Sequence, residues 1–174
     1  MKIISNFVDG KAHQEESSNF ISLYKPTTGE EYAQVPITSK DSFQKIIEKM
    51  KNAQISWSET PVTKRSNILF KFKNLIEKNY DEIAKIISEE HGKVFSDAKG
   101  SLQRGLEVVD FACGIPHLLK GNHSINIGTN VDSFDVKQPL GICAGITPFN
   151  FPAMVPMWMF VISIACGNSF ILKP

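Results

Sequence analysis

The sequence predicts an α/β fold: β-hairpins, then a helical layer, then the start of a doubly wound parallel sheet. Three observations carry this. Turn signals crowd residues 1–38, apolar residues recur at helical spacing through residues 40–120, and no charged side chain occurs from Gln138 to Leu172. That uncharged run reads as strand, turn, helix, strand. The chain therefore divides into a hairpin segment (1–38), helices with connecting strands (39–137) and one β-α-β unit (138–174).

Each element has a local reason. Phe7-Val8 and Lys11-Ala12 flank Asp9-Gly10, a two-residue hairpin signal. Phe20–Tyr24 and Tyr32–Val35 flank the turn residues Pro26-Thr27-Thr28-Gly29. Phe43, Ile46, Ile47, Met50 and Trp57 form a helical stripe behind a Ser39 or Asp41 cap. Thr60-Pro61 reads as the next cap, with Ile68, Leu69, Phe72, Leu75 and Ile76 as its stripe. Tyr80, Ile83, Ala84 and Ile87 make a third helix, stopped by Gly92. A longer one starts near Ser96-Asp97 and carries Ala98, Leu102, Leu106 and Val109. Phe134 and Val136 alternate with polar residues, which predicts a connecting strand or hairpin. Gly141–Thr147 is the first strand of the last unit, Ala153–Cys166 its helix, and Ser169–Leu172 its second strand.

Composition excludes several classes. At 174 residues and 42% hydrophobic content the chain can bury a core. A net charge of +1, with Lys45, Glu48, Lys49 and Lys51 interspersed, describes a solvated helix face and no nucleic-acid footprint. The apolar run Phe151–Cys166 is shorter than the ~20 residues a membrane span needs, and Pro152 and Pro156 fall within it. No secretory h-region follows Met1, so a cytoplasmic location is expected, or the mitochondrial matrix after removal of a transit peptide. Cys113, Cys143 and Cys166 lack a CxxC pair, and their odd number and apolar neighbours predict buried thiols. His13, His91, His117 and His123 lack metal-ligand spacing.

Three residues stand out chemically. Asn150 sits in an apolar frame between Pro148 and Pro152, which restrict the backbone on either side. An amide held there either donates to a carbonyl oxygen that gains negative charge, or caps the following helix. Lys173 closes the second strand, where a lysine either reaches solvent or meets a dinucleotide at the carboxyl ends of parallel strands. Arg104 lies between Leu102 and Leu106 beside Gly105. Its guanidinium suits a carboxylate ligand, or pairs with Glu107 or Asp110.

The turn Pro148-Phe149-Asn150-Phe151-Pro152 after a strand, the following helix and the closing Lys173-Pro174 resemble the aldehyde dehydrogenase superfamily, and Phe149 in place of Trp, within Thr147–Pro152 and followed by Met154–Phe160, resembles one branch of it. Gln103–Glu107 and Phe111–His117 resemble its CoA-acylating methylmalonate-semialdehyde branch. The resemblance implies the N-terminal part of the aldehyde dehydrogenase fold, one β-α-β unit into the NAD-binding sheet. It implies NAD as cofactor and a semialdehyde and CoA as substrates, in a homo-oligomer expected to be a tetramer. Asn150 becomes the oxyanion donor, Thr147 and Phe149 contacts of the nicotinamide half, Lys173 a ligand of the adenosine ribose, and Arg104 the residue facing the substrate carboxylate. The absence of GxGxxG does not oppose NAD, because the family holds the pyrophosphate differently. None of the three cysteines matches the family's nucleophile, so an inactive N-terminal fragment is expected. A hydrolytic semialdehyde dehydrogenase and a non-catalytic remnant that packs on a complete paralogue are the alternatives.

Overall fold

The computed structural model describes residues 2–13, 15 and 19–174. Strands β1 (Lys2–Ile3), β2 (Asn6–Val8), β3 (Lys11–His13), β4 (Phe20–Tyr24) and β5 (Glu31–Pro36) come first. Asp9 and Gly10 both adopt positive φ, 56° and 75°, which gives the twist a two-residue β2–β3 turn requires. β5 is central in a three-stranded sheet, antiparallel to β4 and parallel to β1.

Five helices follow: α1 (Lys40–Glu59), α2 (Val62–Lys78), α3 (Tyr80–His91), α4 (Phe95–Cys113) and α5 (Ile115–Leu118). Ser39 caps α1, its hydroxyl accepting from the Ser42 amide at 3.1 Å. Gly92 ends α3 at φ 83°, the left-handed conformation that glycine adopts without a Cβ penalty. Thr60 does not cap α2 as its sequence suggests. It terminates α1 instead, donating its hydroxyl to the Ser56 carbonyl at 3.0 Å, and Pro61 occupies the α2 cap position without a side-chain bond. The α2 stripe is also displaced. Arg65, Ser66, Leu69 and Ile76 are buried, whereas Ile68 and Leu75 face outward. Arg65 and Ser66 hydrogen-bond inward, to Ala165 and Cys113, and this rotates the buried face away from a purely apolar stripe.

A hairpin of β6 (His123–Gly128) and β7 (Val131–Phe134) crosses to the last unit. Phe134 marks its second strand; the first, where Ile125 and Ile127 alternate with polar residues, carries Asn126 at φ 53° and a register shift between Ser124 and Gly128. Then come β8 (Ile142–Ile146), α6 (Met154–Ala165) and β9 (Ser169–Lys173), with β8 and β9 parallel from Ile142↔Ser169 to Ile146↔Lys173. The α/β class read from the sequence is the class observed.

The core lies where α4 packs on α6 with α2 and α3 behind. Leu102, Val109 and Val161 are its fully buried large side chains. The crossing is close because α4 presents Gly105, where a Cβ would lie 3.2 Å from the Met154 Cα and would clash with the Met157 Cε. The carboxyl end of α6 is bound by side chains from two other helices. Trp57 Nε1 donates to the Ile164 carbonyl at 2.9 Å, Arg65 Nε to Ala165 at 3.0 Å and Gln54 Nε2 to Gly167 at 3.3 Å. Terminal helix carbonyls have no intrahelical donor, so two of them, Ile164 and Ala165, and the Gly167 carbonyl just beyond the helix receive donors from a different layer.

Candidate functional site

The parallel register brings two segments to one edge of the β8–β9 pair. Ile146 lies opposite Lys173, and the Thr147 amide donates to the Lys173 carbonyl at 3.1 Å. Thr147, Phe149 and Asn150 therefore leave the carboxyl end of β8 beside the carboxyl end of β9, where Lys173 sits. These four sequence candidates share one edge of the fold.

Asn150 occupies the turn before α6. The cap residue of that helix is Ala153, and the helix has no side-chain cap bond. The capping role open to Asn150 in the sequence is thus not the role it plays here. Its carbonyl is held instead: Lys93 Nζ donates to it at 2.9 Å and stands 4.6 Å from the centroid of the Phe151 ring. Phe149 is 86% exposed. Thr147 is only 8% exposed, and its hydroxyl has no hydrogen-bond partner among the described residues. Lys173 is exposed, its ammonium donating to the Pro174 carbonyl at 2.9 Å.

Arg104 sits on the α4–α6 contact. Its carbonyl accepts from Trp158 Nε1 of α6 at 3.3 Å, while the side chain is exposed and makes no ion pair among the described residues. Asp110, one of its two candidate partners, is taken by Lys73 at 2.7 Å. The guanidinium therefore remains available to a ligand carboxylate.

The carboxyl edge of a parallel pair is where α/β folds hold dinucleotides. Two observations fit such a group: the buried Thr147 hydroxyl lacks a partner, and the Phe149 ring offers an open apolar face. Among the described residues no His, Cys, Asp and Glu group could hold a metal, and no helix is long and apolar enough to cross a membrane. The three cysteines are free thiols; Cys113 is buried as expected, whereas Cys143 and Cys166 are only half-buried. Burial pushes the Cys113 and Cys166 thiols up from their ordinary range, the reverse of what an attacking thiolate requires.

Sequence reasoning missed Lys93 and Arg65. Lys93 follows the Gly92 stop and has no motif of its own. Its partner lies 57 residues away, so only the fold brings them together. Arg65 is 6% exposed although it is charged, and its ligands are carbonyls, which leave no mark in side-chain identity.

The chain belongs to the aldehyde dehydrogenase family, whose profile matches residues 13–174. It is 51% identical over 152 residues to the malonate-semialdehyde dehydrogenase of Pseudomonas aeruginosa, an alignment covering 87% of this chain and 31% of that protein. It is 43% identical over 171 residues to the mitochondrial, acylating methylmalonate-semialdehyde dehydrogenase of Arabidopsis thaliana, covering 98% of this chain and 28% of that one. Among solved structures, it superposes with a TM-score of 0.96 and 44% identity on the NAD complex of a Sinorhizobium meliloti protein named for methylmalonate-semialdehyde dehydrogenase. That match covers 100% of this chain and 35% of the other. The chain thus spans about a third of the length of the relatives it matches.

Proposed function

We propose that this chain is the N-terminal portion of an NAD-dependent, CoA-acylating methylmalonate or malonate semialdehyde dehydrogenase. Its reaction takes semialdehyde, CoA and NAD to propionyl-CoA or acetyl-CoA, carbon dioxide and NADH. The observation that carries this reading is Asn150, fixed by its backbone at the carboxyl edge of β8 and not engaged as a helix cap. Residues 1–38 supply hairpins, 39–137 the helical layer, and 138–174 the first β-α-β unit of the cofactor domain.

In this reading a cysteine thiolate from outside residues 1–174 adds to the aldehyde carbon. The Asn150 side-chain N–H donates to the oxygen as it gains charge, the kind of term that dominates acyl-transfer catalysis. Bound NAD supplies the two-electron acceptor. Thr147 and Phe149 line its nicotinamide half and Lys173 its adenosine ribose. The Arg104 fork holds the substrate carboxylate, which plain aldehydes lack. CoA thiol then displaces the enzyme cysteine from the acyl group; the carboxylate leaves as carbon dioxide, and the enolate carbon so formed takes up one proton, matching the one that the CoA thiol gives up. Names of the relatives support the substrate and the acylating step, and the Sinorhizobium complex supports NAD. The complete enzyme is a homo-oligomer, a proposal supported by the apolar residues Ile125, Ile127 and Phe134 exposed on the β6–β7 hairpin.

The test is a chimera in which this chain replaces the aligned segment of the Pseudomonas aeruginosa relative. CoA-dependent NADH formation from malonate semialdehyde is expected, with none from the isolated chain. Turnover by the isolated chain that disappears on substituting Cys143 or Cys166 would overturn the reading. Turnover of the chimera without CoA, releasing free acid, would place it among hydrolytic enzymes.

A further inference from the structure

We infer that Lys93 is a positioning residue for Asn150, a role that rests on the oxyanion reading above and adds a residue to it. Lys93 is half-buried and makes no ion pair with any carboxylate among the described residues. Its ammonium is committed to the loop that carries Asn150. It donates to the Asn150 carbonyl at 2.9 Å and lies over the Phe151 ring at 4.6 Å. A charge-assisted bond thus holds the Asn150 carbonyl, and a cation–π contact holds the side chain of the next residue.

Lys93 is itself anchored. Gly92 stops α3 in the left-handed conformation, and the Ser88 hydroxyl donates to the Lys93 carbonyl at 2.6 Å. The end of α3 is therefore a fixed post from which one long side chain reaches the turn between β8 and α6. That turn needs an outside support. It lacks a side-chain cap at α6, and Pro148 and Pro152 remove two of its backbone donors. Phe149 and Asn150 are both exposed, so packing does not fix them. An oxyanion donor is effective only when held where charge develops, and a misplacement of about 1 Å can cost up to about a hundredfold in rate.

The experiment is a double-mutant cycle in the chimera, using Lys93→Met and Asn150→Ala. Lys93→Met keeps the apolar stem and removes the cation and its donors. Expected is a fall in kcat of about ten- to a hundredfold with KM for NAD unchanged, and no further fall when Asn150 is already alanine. Lys93→Arg, which keeps a cation and donors, retains most of the turnover. Hydrogen exchange of the unliganded chimera gives a readout independent of activity: the amides of Phe149, Asn150, Phe151 and Ala153 exchange faster in Lys93→Met, while those of β8 and β9 do not. Lys93→Gln, which keeps a neutral donor, shows the same selective exchange to a smaller degree. The inference is overturned if Lys93→Met lowers kcat by the same factor in both backgrounds. It is also overturned if exchange rises throughout the sheet, or if kcat is unchanged while Asn150→Ala impairs it. Undiminished turnover in Asn150→Ala overturns the oxyanion reading itself, and this inference with it.

Discussion

The Arg65 side chain donates Nε to the carbonyl of Ala165 at 3.0 Å, joining α2 to the end of α6 across 100 residues of sequence. Nη1 of the same guanidinium donates to the carbonyls of Ser58 and Thr60, at the end of α1. One planar cation thus meets two helix carboxyl ends, each carrying partial negative charge. Burial pulls the Arg65 pKa down from its usual value, yet a guanidinium stays charged under ordinary conditions.

Arg65→Met is expected to destabilise the chimera by about 1–3 kcal/mol, the cost of leaving the buried Ala165 carbonyl without a donor, since water can reach the half-buried Ser58 and Thr60 carbonyls. Arg65→Lys recovers only part of this, since an ammonium cannot reproduce the fork. Urea unfolding midpoints check both. A loss below about 1 kcal/mol for methionine would mean that water replaces the guanidinium.

Asn150→Ala is expected to lower kcat in the chimera by about 10²–10³ while NAD affinity stays near normal, the size of losing one oxyanion donor. A helix cap would instead cost about 1 kcal/mol of stability and spare turnover. Pre-steady-state NADH bursts set beside melting temperatures separate the two.

Arg104→Leu should reduce kcat/KM for methylmalonate semialdehyde about tenfold to a hundredfold more than for propionaldehyde, which has no carboxylate. A hydrogen bond to a charged group is worth about 1.5–3 kcal/mol. Equal losses on both substrates would remove Arg104 from substrate recognition.

Gly105→Ala tests the α4–α6 contact. Alanine gains up to about 1 kcal/mol in helix propensity, but its Cβ meets the Met154 backbone as well as the movable Met157 terminus. Overpacking of about 1–3 kcal/mol should win, so the melting temperature falls. Gly105→Val falls further. A rise for alanine would show that Met157 yields without cost.

Asp135 gives an acid-side prediction. The Lys137 ammonium, then the amide and side chain of Asn122, lower its pKa from 3.8 to about 2. Its contribution to the β6–β7 hairpin is therefore present above about pH 4 and is lost as pH falls toward 2. Asp135→Asn should flatten that part of the hairpin's acid transition, measured by hydrogen exchange of residues 122–135 between pH 4 and 2. An unchanged transition would assign acid sensitivity to other carboxylates.

Local chemistry was legible in the sequence, and cross-layer chemistry was not. Asp9-Gly10, Gly92 and the apolar run after Gln138 each specify their element through φ preference or burial, so the hairpin, the helix stop and the β-α-β unit are read correctly. Thr147, Phe149, Asn150 and Lys173 converge because parallel strands put their carboxyl ends side by side. What failed to show were bonds from side chains to distant carbonyls. Thr60 reads as a cap for the helix that follows it, but the preceding helix takes it. Ile68 and Leu75 read as core, but Arg65 and Ser66 find carbonyl partners and turn the helix by a fraction of a turn. Lys93 looks like one surface lysine among many until the fold supplies the Asn150 carbonyl.

The side-chain bonds at the end of α6 also set an order of assembly. Gln54, Trp57 and Arg65 leave the ribosome about a hundred residues before the carbonyls they receive, and at 5–20 residues per second that is a wait of several seconds. Helices α1 and α2 can form in that interval as a waiting template. When α6 and β9 emerge, the helix end docks onto donors already in place, and the parallel strand is delivered beside β8 instead of searching for it. Removing residues 1–66 would then cripple the β8–β9 sheet kinetically, although neither of its strands lies within them.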